Sequence, residues 1–417
     1  MPGGSRGWPA AVAAAAALVA GVFVPLPAQA PPTAVPALQS AAAAPARQQW
    51  ESVLRERSRA LLARDEAAFE ATLDPAAPGD FRRRQRALFD NLAGVPLAEW
   101  DYDVLDSAGA ARASTPDVVL RYALAGVDEV PTERPVGFTF ALRDGRWLLS
   151  GDGRERGESW RGPWDFARCR VVVTPQGVII AHDGGEDLAE RLARELPSAV
   201  AAVTDVWGPD WRRQVGVLLP QSRQELRAMV GAEFAVEGIA AVAVADEVDT
   251  GARRVAGPRV VFNTETAERL SDTSLRVVLR HEMAHVAARA DTADGAPMWL
   301  LEGFADYVGY RASGLPPERI APDLARRVRV GAPPEGPPGD EDFHVSGGGL
   351  DLAYQQSWSL VEHLARRVGE RRVVELYRRI AGAGTPAEVE PALRELAGFS
   401  TADLLRSWRA ELLARFG

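Results

Sequence analysis

Two histidines four residues apart, His281 and His285, stand with Glu282 directly after the first in a chain whose 417 residues include only five histidines. On a helix, residues i and i+4 lie one above the other on the same face, so both imidazoles can reach a single zinc ion. Glu282 falls beside them, within reach of a water at the metal but displaced from the ligand line. The Asp-Thr-Ala-Asp-Gly-Ala-Pro segment then turns the chain, and Pro297 sits where a new helix opens, which presents Glu302. A catalytic zinc takes three protein ligands and leaves a fourth position open, and His281, His285 and Glu302 make such a set. Asp306, one turn beyond Glu302 on the same face, is placed to accept the second ring N–H of a ligand histidine and fix its tautomer.

Each of these residues also has a plainer use. A single histidine on a half-apolar helix is ordinarily a satisfied core residue; the paired spacing, with Glu302 and Asp306 behind it, is what favours metal. Trp299, Phe304 and Tyr307 read as core. His344 lies in a Gly-rich stretch, where it would either stabilise an oxyanion or be a solvated loop residue. His182 and His363 are assigned to surface or packing.

The elements that must position the site follow from periodicity. From Gln48 onward Trp50, Val53, Leu54, Ala60, Leu61 and Leu62 are spaced for one helix face, and a second helix is predicted over Asp80 to Leu92. Short alternating runs closed by Gly or Asp follow (DYDVLDSAG, DVVLRYALAG, GFTFALRDG, RWLLSGD), the pattern of antiparallel strands. From Arg168 the order is mixed: two strands in Arg170 to Ala181, a long helix over Glu186 to Trp207, a strand at Gln214 to Leu219, a helix over Gln221 to Val230, and strands near Ile239 to Ala245 and Arg259 to Asn263. Asp272 to Ala290 is the histidine helix, and the remainder is helical apart from a Pro/Gly-rich loop, Gly314 to Gly349, expected to form a mobile cleft wall. The fold class is therefore α+β, a small mixed sheet joined to a helical C-terminal half with the site at their junction.

HEMAH, sixteen residues, then Glu302 in WLLEGFADY resembles the gluzincin metallopeptidases, the thermolysin-like clan, and most nearly their peptidase MA-like bacterial families. AYQQSWSLVEHLARRVG, Ala353 to Gly369, resembles the Tyr-x-x-Ser helix of those families. The likeness spans residues 166–417 and implies one Zn2+ per chain on His281, His285 and Glu302, Glu282 as general base and Asp306 behind the ligands; it places Tyr354 where it is either the donor facing the oxyanion, with Gln355 and Gln356 as competitors, or a packing tyrosine. Residues 46–165 are similar in layout to the cone-shaped α+β domain of the nuclear transport factor 2 superfamily, on the strength of helices before a meander and the Asp-Gly-Arg-Trp turn. No histidine lies between Trp50 and Trp164, and Asp101 and Asp103 read as solvating charges on a strand, so this domain is expected to bind or shield and not to catalyse.

The implied activity is hydrolysis of peptide bonds in a peptide or protein substrate by a zinc-activated water with Glu282 as base. The rival readings are a binding or scaffold protein with a vestigial metal site, and a zinc hydrolase of a non-peptide amide. A net charge of −9 and a pI near 5.3 give no footprint for nucleic acid. All 48 basic residues are arginine, which with the abundance of Ala, Gly and Pro suits a GC-rich bacterial source. Residues 1–30 read as a signal peptide cleaved after Ala30, with Arg6, an apolar run from Ala10 to Val24 and a Pro-Ala-Gln-Ala cleavage site; residues 31–45 read as a disordered Ala/Pro linker. The chain is therefore expected to be exported, extracellular or associated with the cell envelope; an uncleaved signal would instead hold it at the membrane. Cys169 is the single cysteine, so no internal disulfide forms.

Overall fold

The computed structural model describes residues 40–105, 115–154, 157, 159–231, 239–344 and 348–417. The expected signal peptide and most of the expected linker lie outside the described residues. The first described element is a helix, Ser40–Leu62, which begins inside the stretch expected to be a tether. Its apolar stripe packs on the strand Leu97–Val104, and Trp50 stacks on Phe140 and meets the edge of Trp147. The helix Gly79–Asn91 and three antiparallel strands, Leu97–Val104, Val118–Leu124 and Thr132–Val136, complete this N-terminal module with a separate hairpin, Thr139–Arg143 and Arg146–Gly151. The hairpin turns at Asp144 and Gly145, both at positive φ (47° and 81°), which is why an Asp-Gly pair stands there. The strand Thr132–Val136 was not foreseen: Glu133, Arg134 and Pro135 hide its alternation, and it is tolerated because it is an edge strand.

Residues 170–262 build a five-stranded sheet in the order Arg170–Thr174, Gly177–Ala181, Val215–Leu218, Arg259–Phe262, Ala241–Val244. Gly177–Ala181, Val215–Leu218 and Arg259–Phe262 run parallel, and each is buried at every position, as expected for strands covered on both faces. Ala241–Val244 is antiparallel to its neighbour and forms the edge. A small hairpin, Glu247–Asp249 with Arg254–Ala256, follows it; three of its six residues are charged, so the sequence alone reads as loop.

Helices Glu186–Trp207 and Asp272–Ala288 pack against each other beside this sheet, and Asp272–Ala288 also touches Ala241–Val244. Met298–Tyr310 lies between Asp272–Ala288 and the helix Gly348–Val368, followed by Glu370–Ala383 and Thr401–Phe416. The expected Pro/Gly-rich loop is largely ordered structure. It contains the helices Pro317–Ile320 and Pro322–Arg329, each opened by a proline at its first position, and a 3-10 turn, Asp340–Phe343. Leu324 and Val328 are buried, and Gln355 Oε1 accepts the backbone N–H groups of Asp323 and Leu324 at 2.8 and 3.0 Å, so this wall is docked onto the Gly348–Val368 helix. Residues 345–347 of that segment lie outside the described residues.

Candidate metal centre

Ser271 caps the histidine helix, its hydroxyl accepting from the Ser274 N–H, and Asp272 supplies a negative charge to the first turn. After Ala288 the helix tightens into a 3-10 turn, Arg289–Asp291, and the Thr292 hydroxyl donates to the Ala288 carbonyl at 2.9 Å. Pro297 then starts Met298–Tyr310. Gly309 lets the two helices close: a Cβ there would stand 2.9 Å from the Val277 carbonyl oxygen and 3.5 Å from the His281 Cβ. That approach brings Glu302 and Asp306 to the histidines.

The two imidazole Nε2 atoms are 3.1 Å apart, and the Glu302 Oε2 stands 3.3 Å from that of His281 and 3.5 Å from that of His285. A tetrahedral zinc with bonds of ~2.0–2.1 Å separates its ligands by about 3.3 Å, so these three edges fit one ion. The side chains of His281 and Glu302 are 1% exposed, whereas that of His285 is 17% exposed and marks the open side. His281 Nδ1 lies 2.8 Å from Asp306 Oδ1. A carboxylate accepts, so Nδ1 carries a proton, which makes Nε2 the nitrogen that could serve a metal.

The polar atoms left over make the same case. Among the described residues, both carboxylate oxygens of Glu302 and Oε2 of Glu282 are buried with no hydrogen-bond partner. A buried carboxylate without a donor is costly, and a cation between Glu302 and the imidazoles removes that cost. Burial acts to raise the Glu302 carboxyl, but the facing His285 and His281 outweigh it and hold it down at about 2. Burial acts to lower His281, yet Asp306 and Glu302 raise it well above 6.5. Glu282 is raised by burial, with His281, His285 and the Ala243 backbone N–H acting against the rise. Asp306 is raised by burial too, partly offset by its bond to His281.

A cavity of about 380 Å³ opens over the centre, walled by His285 and Glu302, the strand residues Ala243 and Val244, and the side chains of His344 and Tyr377. No residue of the N-terminal module lines it among the described residues. Tyr354, expected to face it, does not: it is buried with its ring edge-on to Phe343 and lines a separate small cavity with Asp306, Tyr310 and Gln355. The tyrosine at the cavity is Tyr377, on the helix Glu370–Ala383. Its hydroxyl bonds Thr292 Oγ1 at 3.0 Å, and its ring packs on Trp207 and Phe304. Nothing in the sequence separates it from an ordinary core tyrosine.

His344 lines the cavity and is exposed to solvent, a placement that fits either of the two roles left open for it. His182 and His363 are packing residues and not surface ones. His182 is buried against Glu225 at 2.6 Å, and His363 bonds Glu411 and Ser407 at 2.6 and 2.8 Å.

The profile of a family described as "peptidase of plants and bacteria" matches residues 210–331, a segment that contains His281, Glu282, His285, Glu302 and Asp306. This supports a zincin-like peptidase fold for that part of the chain. Among solved structures, the M1 zinc metallopeptidase from Deinococcus radiodurans is 18% identical, with a TM-score of 0.36 over 65% of this chain and 58% of that one. A glutamate-to-alanine mutant of an M1 zinc metallopeptidase from the same organism, bound to a Tyr-Ser-Ala substrate, is 17% identical, with a TM-score of 0.34 over 65% and 59%. The chain thus covers less than two thirds of those enzymes' length. No curated protein matches it.

Proposed function

We propose that the chain is an exported zinc-dependent metallopeptidase. What supports the reading is the convergence of His281, His285 and the buried, donor-free Glu302 at tetrahedral-edge spacing, with the unpartnered Glu282 oxygen beside them. His281, His285 and Glu302 hold one zinc, and Asp306 keeps the His281 ring in the binding tautomer. The metal, when bound, polarises the scissile carbonyl and acidifies the attacking water.

Glu282 is one residue off the ligand line and carries a free lone pair at Oε2. It takes the water proton and returns it to the leaving amine. His344 and, once its hydroxyl turns away from Thr292 Oγ1, Tyr377 are the donors at the cavity for the carbonyl oxygen as charge develops on it, in place of Tyr354. Residues 1–30 serve as the export signal, so N-terminal sequencing of secreted material is expected to begin at Pro31; an intact Met1 in a membrane fraction contradicts that part.

The test is Glu282→Gln against wild type on a broad peptide library at neutral pH. Zinc content should stay equal while cleavage falls by at least ~10²-fold, the lower range for a positioned general base. A zinc-loaded wild type that cleaves nothing, or a variant that cleaves equally well, defeats the reading.

A further inference from the structure

The cavity's edge strand, Ala241–Val244, has a sheet partner on one side only, yet it walls the metal centre and its Ala243 N–H faces the Glu282 carboxyl. An edge strand of four residues carries few backbone hydrogen bonds to hold it in register. The N-terminal module supplies the rest.

Two ion pairs cross from the module to this strand and its neighbour. Arg259 stands directly opposite Val244 in the ladder, is buried, and forks onto Asp128 of the module with both contacts at 2.6 Å. The Asp128 side chain is fully buried in turn, and its second oxygen also accepts the Leu124 N–H. Arg134, on the module's edge strand, pairs with Asp246, two residues past the end of Ala241–Val244, and its guanidinium lies over the Trp160 ring.

Asp246 is held from behind as well, since its backbone N–H donates to the Ala256 carbonyl at 2.9 Å. The approach is tight. A Cβ at Gly257 would collide with the Asp246 carboxylate and stand 2.6 Å from Thr132 Oγ1 of the module, and Gly257 sits at a φ of 57°. Val244 itself lines both the metal cavity and the small cavity at the module junction, where it meets Trp160, Arg134 and Tyr122.

We infer that the N-terminal module is a brace for the substrate-facing strand: Arg134, through Asp246, is a positioning residue that holds Ala241–Val244 against the metal centre. This rests on the peptidase reading only for its kinetic consequence; the mechanical link stands on the geometry. Among the described residues the module neither lines the cavity nor blocks it, so it acts by fixing one wall.

The experiment is full-length Arg134→Met beside wild type, with the reversed pair Arg134→Asp/Asp246→Arg as rescue. Amide hydrogen exchange over residues 241–246 should speed up roughly tenfold in Arg134→Met, because a partly buried pair that restrains local opening is lost. Protection in Asp272–Ala288 and zinc content should be unchanged. On any peptide that wild type cleaves, KM should rise by about three- to tenfold with kcat within about twofold, the signature of lost substrate seating. The reversed pair should move exchange and KM back towards wild type.

Unchanged exchange over 241–246 overturns the inference. So does loss of protection throughout Asp272–Ala288, which would make the pair a general stabiliser instead of a local brace. If wild type cleaves nothing, the peptidase reading fails, and the exchange measurement still decides the brace.

Discussion

Two of the groups of charges buried among the described residues are finished differently. At the module junction Arg259 and Asp128 satisfy each other by two hydrogen bonds, with the Leu124 amide taking up a further acceptor site. At the candidate metal centre Glu302 and Glu282 keep buried oxygens with no hydrogen-bond partner among the described residues. A buried charge is tolerated when it is paired and hydrogen-bonded, so the junction is complete as folded. A cation that accepts lone pairs from two imidazoles and a carboxylate would complete the centre. On the proposed reading, the contrast separates a pair that holds the fold from a set of ligands held by the fold.

The comparison breaks first at the centre. Chelation, or His281→Ala, should remove the zinc and lower peptide cleavage by at least ~10³-fold, since the several kcal/mol of charge stabilisation a metal supplies are lost. Measured zinc content should fall in parallel, and folding should survive.

At the junction the opposite pattern is expected. Arg259→Met leaves Asp128 buried and unpaired and should destabilise by about 3–5 kcal/mol in denaturant unfolding, whereas Arg259→Met with Asp128→Leu should recover most of the loss. Zinc stoichiometry of the folded fraction should stay at wild type.

A smaller effect is expected at the buried pair His182 and Glu225. Burial acts to lower His182, but the Glu225 carboxylate and the Arg168 carbonyl raise it above its ordinary 6.5. A raised histidine stabilises fully below the unfolded value and loses that contribution as pH climbs through the folded one. The stability advantage of wild type over Glu225→Gln should therefore be greatest below pH ~6.5 and shrink above it, by roughly 1.5–3 kcal/mol in all, the worth of a hydrogen bond to a charged group. Equal unfolding curves at pH 5.5 and pH 9 would remove this pair from the account. Smallest of all, Tyr354→Phe should leave kcat within about twofold, because its hydroxyl is not at the cavity, while Tyr377→Phe should lower kcat by more.

The convergence of the candidate metal ligands was legible because helix geometry is local. A spacing of four puts His281 and His285 together, and a proline-started helix sixteen residues on brings Glu302 and Asp306 to them. The long helix Glu186–Trp207 and the buried strands were legible for the same reason, each being an uninterrupted periodic run. Tyr354 was misplaced because only packing decides which way a residue on the long Gly348–Val368 helix faces, and packing turned it onto Phe343. The helices at Pro317 and Pro322 were hidden by a composition that reads as loop, although proline at the first position of a helix is favoured. Arg259 and Asp128 lie 131 residues apart. No spacing rule connects them, and so the junction was invisible until the fold was known.

The most direct test of the central claim is diffraction from the full chain on both sides of the zinc absorption edge. The account predicts one anomalous peak per chain, ~2.0–2.2 Å from His281 Nε2, His285 Nε2 and a Glu302 carboxylate oxygen, with Glu282 outside that distance. A zinc-saturated crystal with no peak there, or with the peak held by Glu282 or Asp306 in place of Glu302, would contradict it.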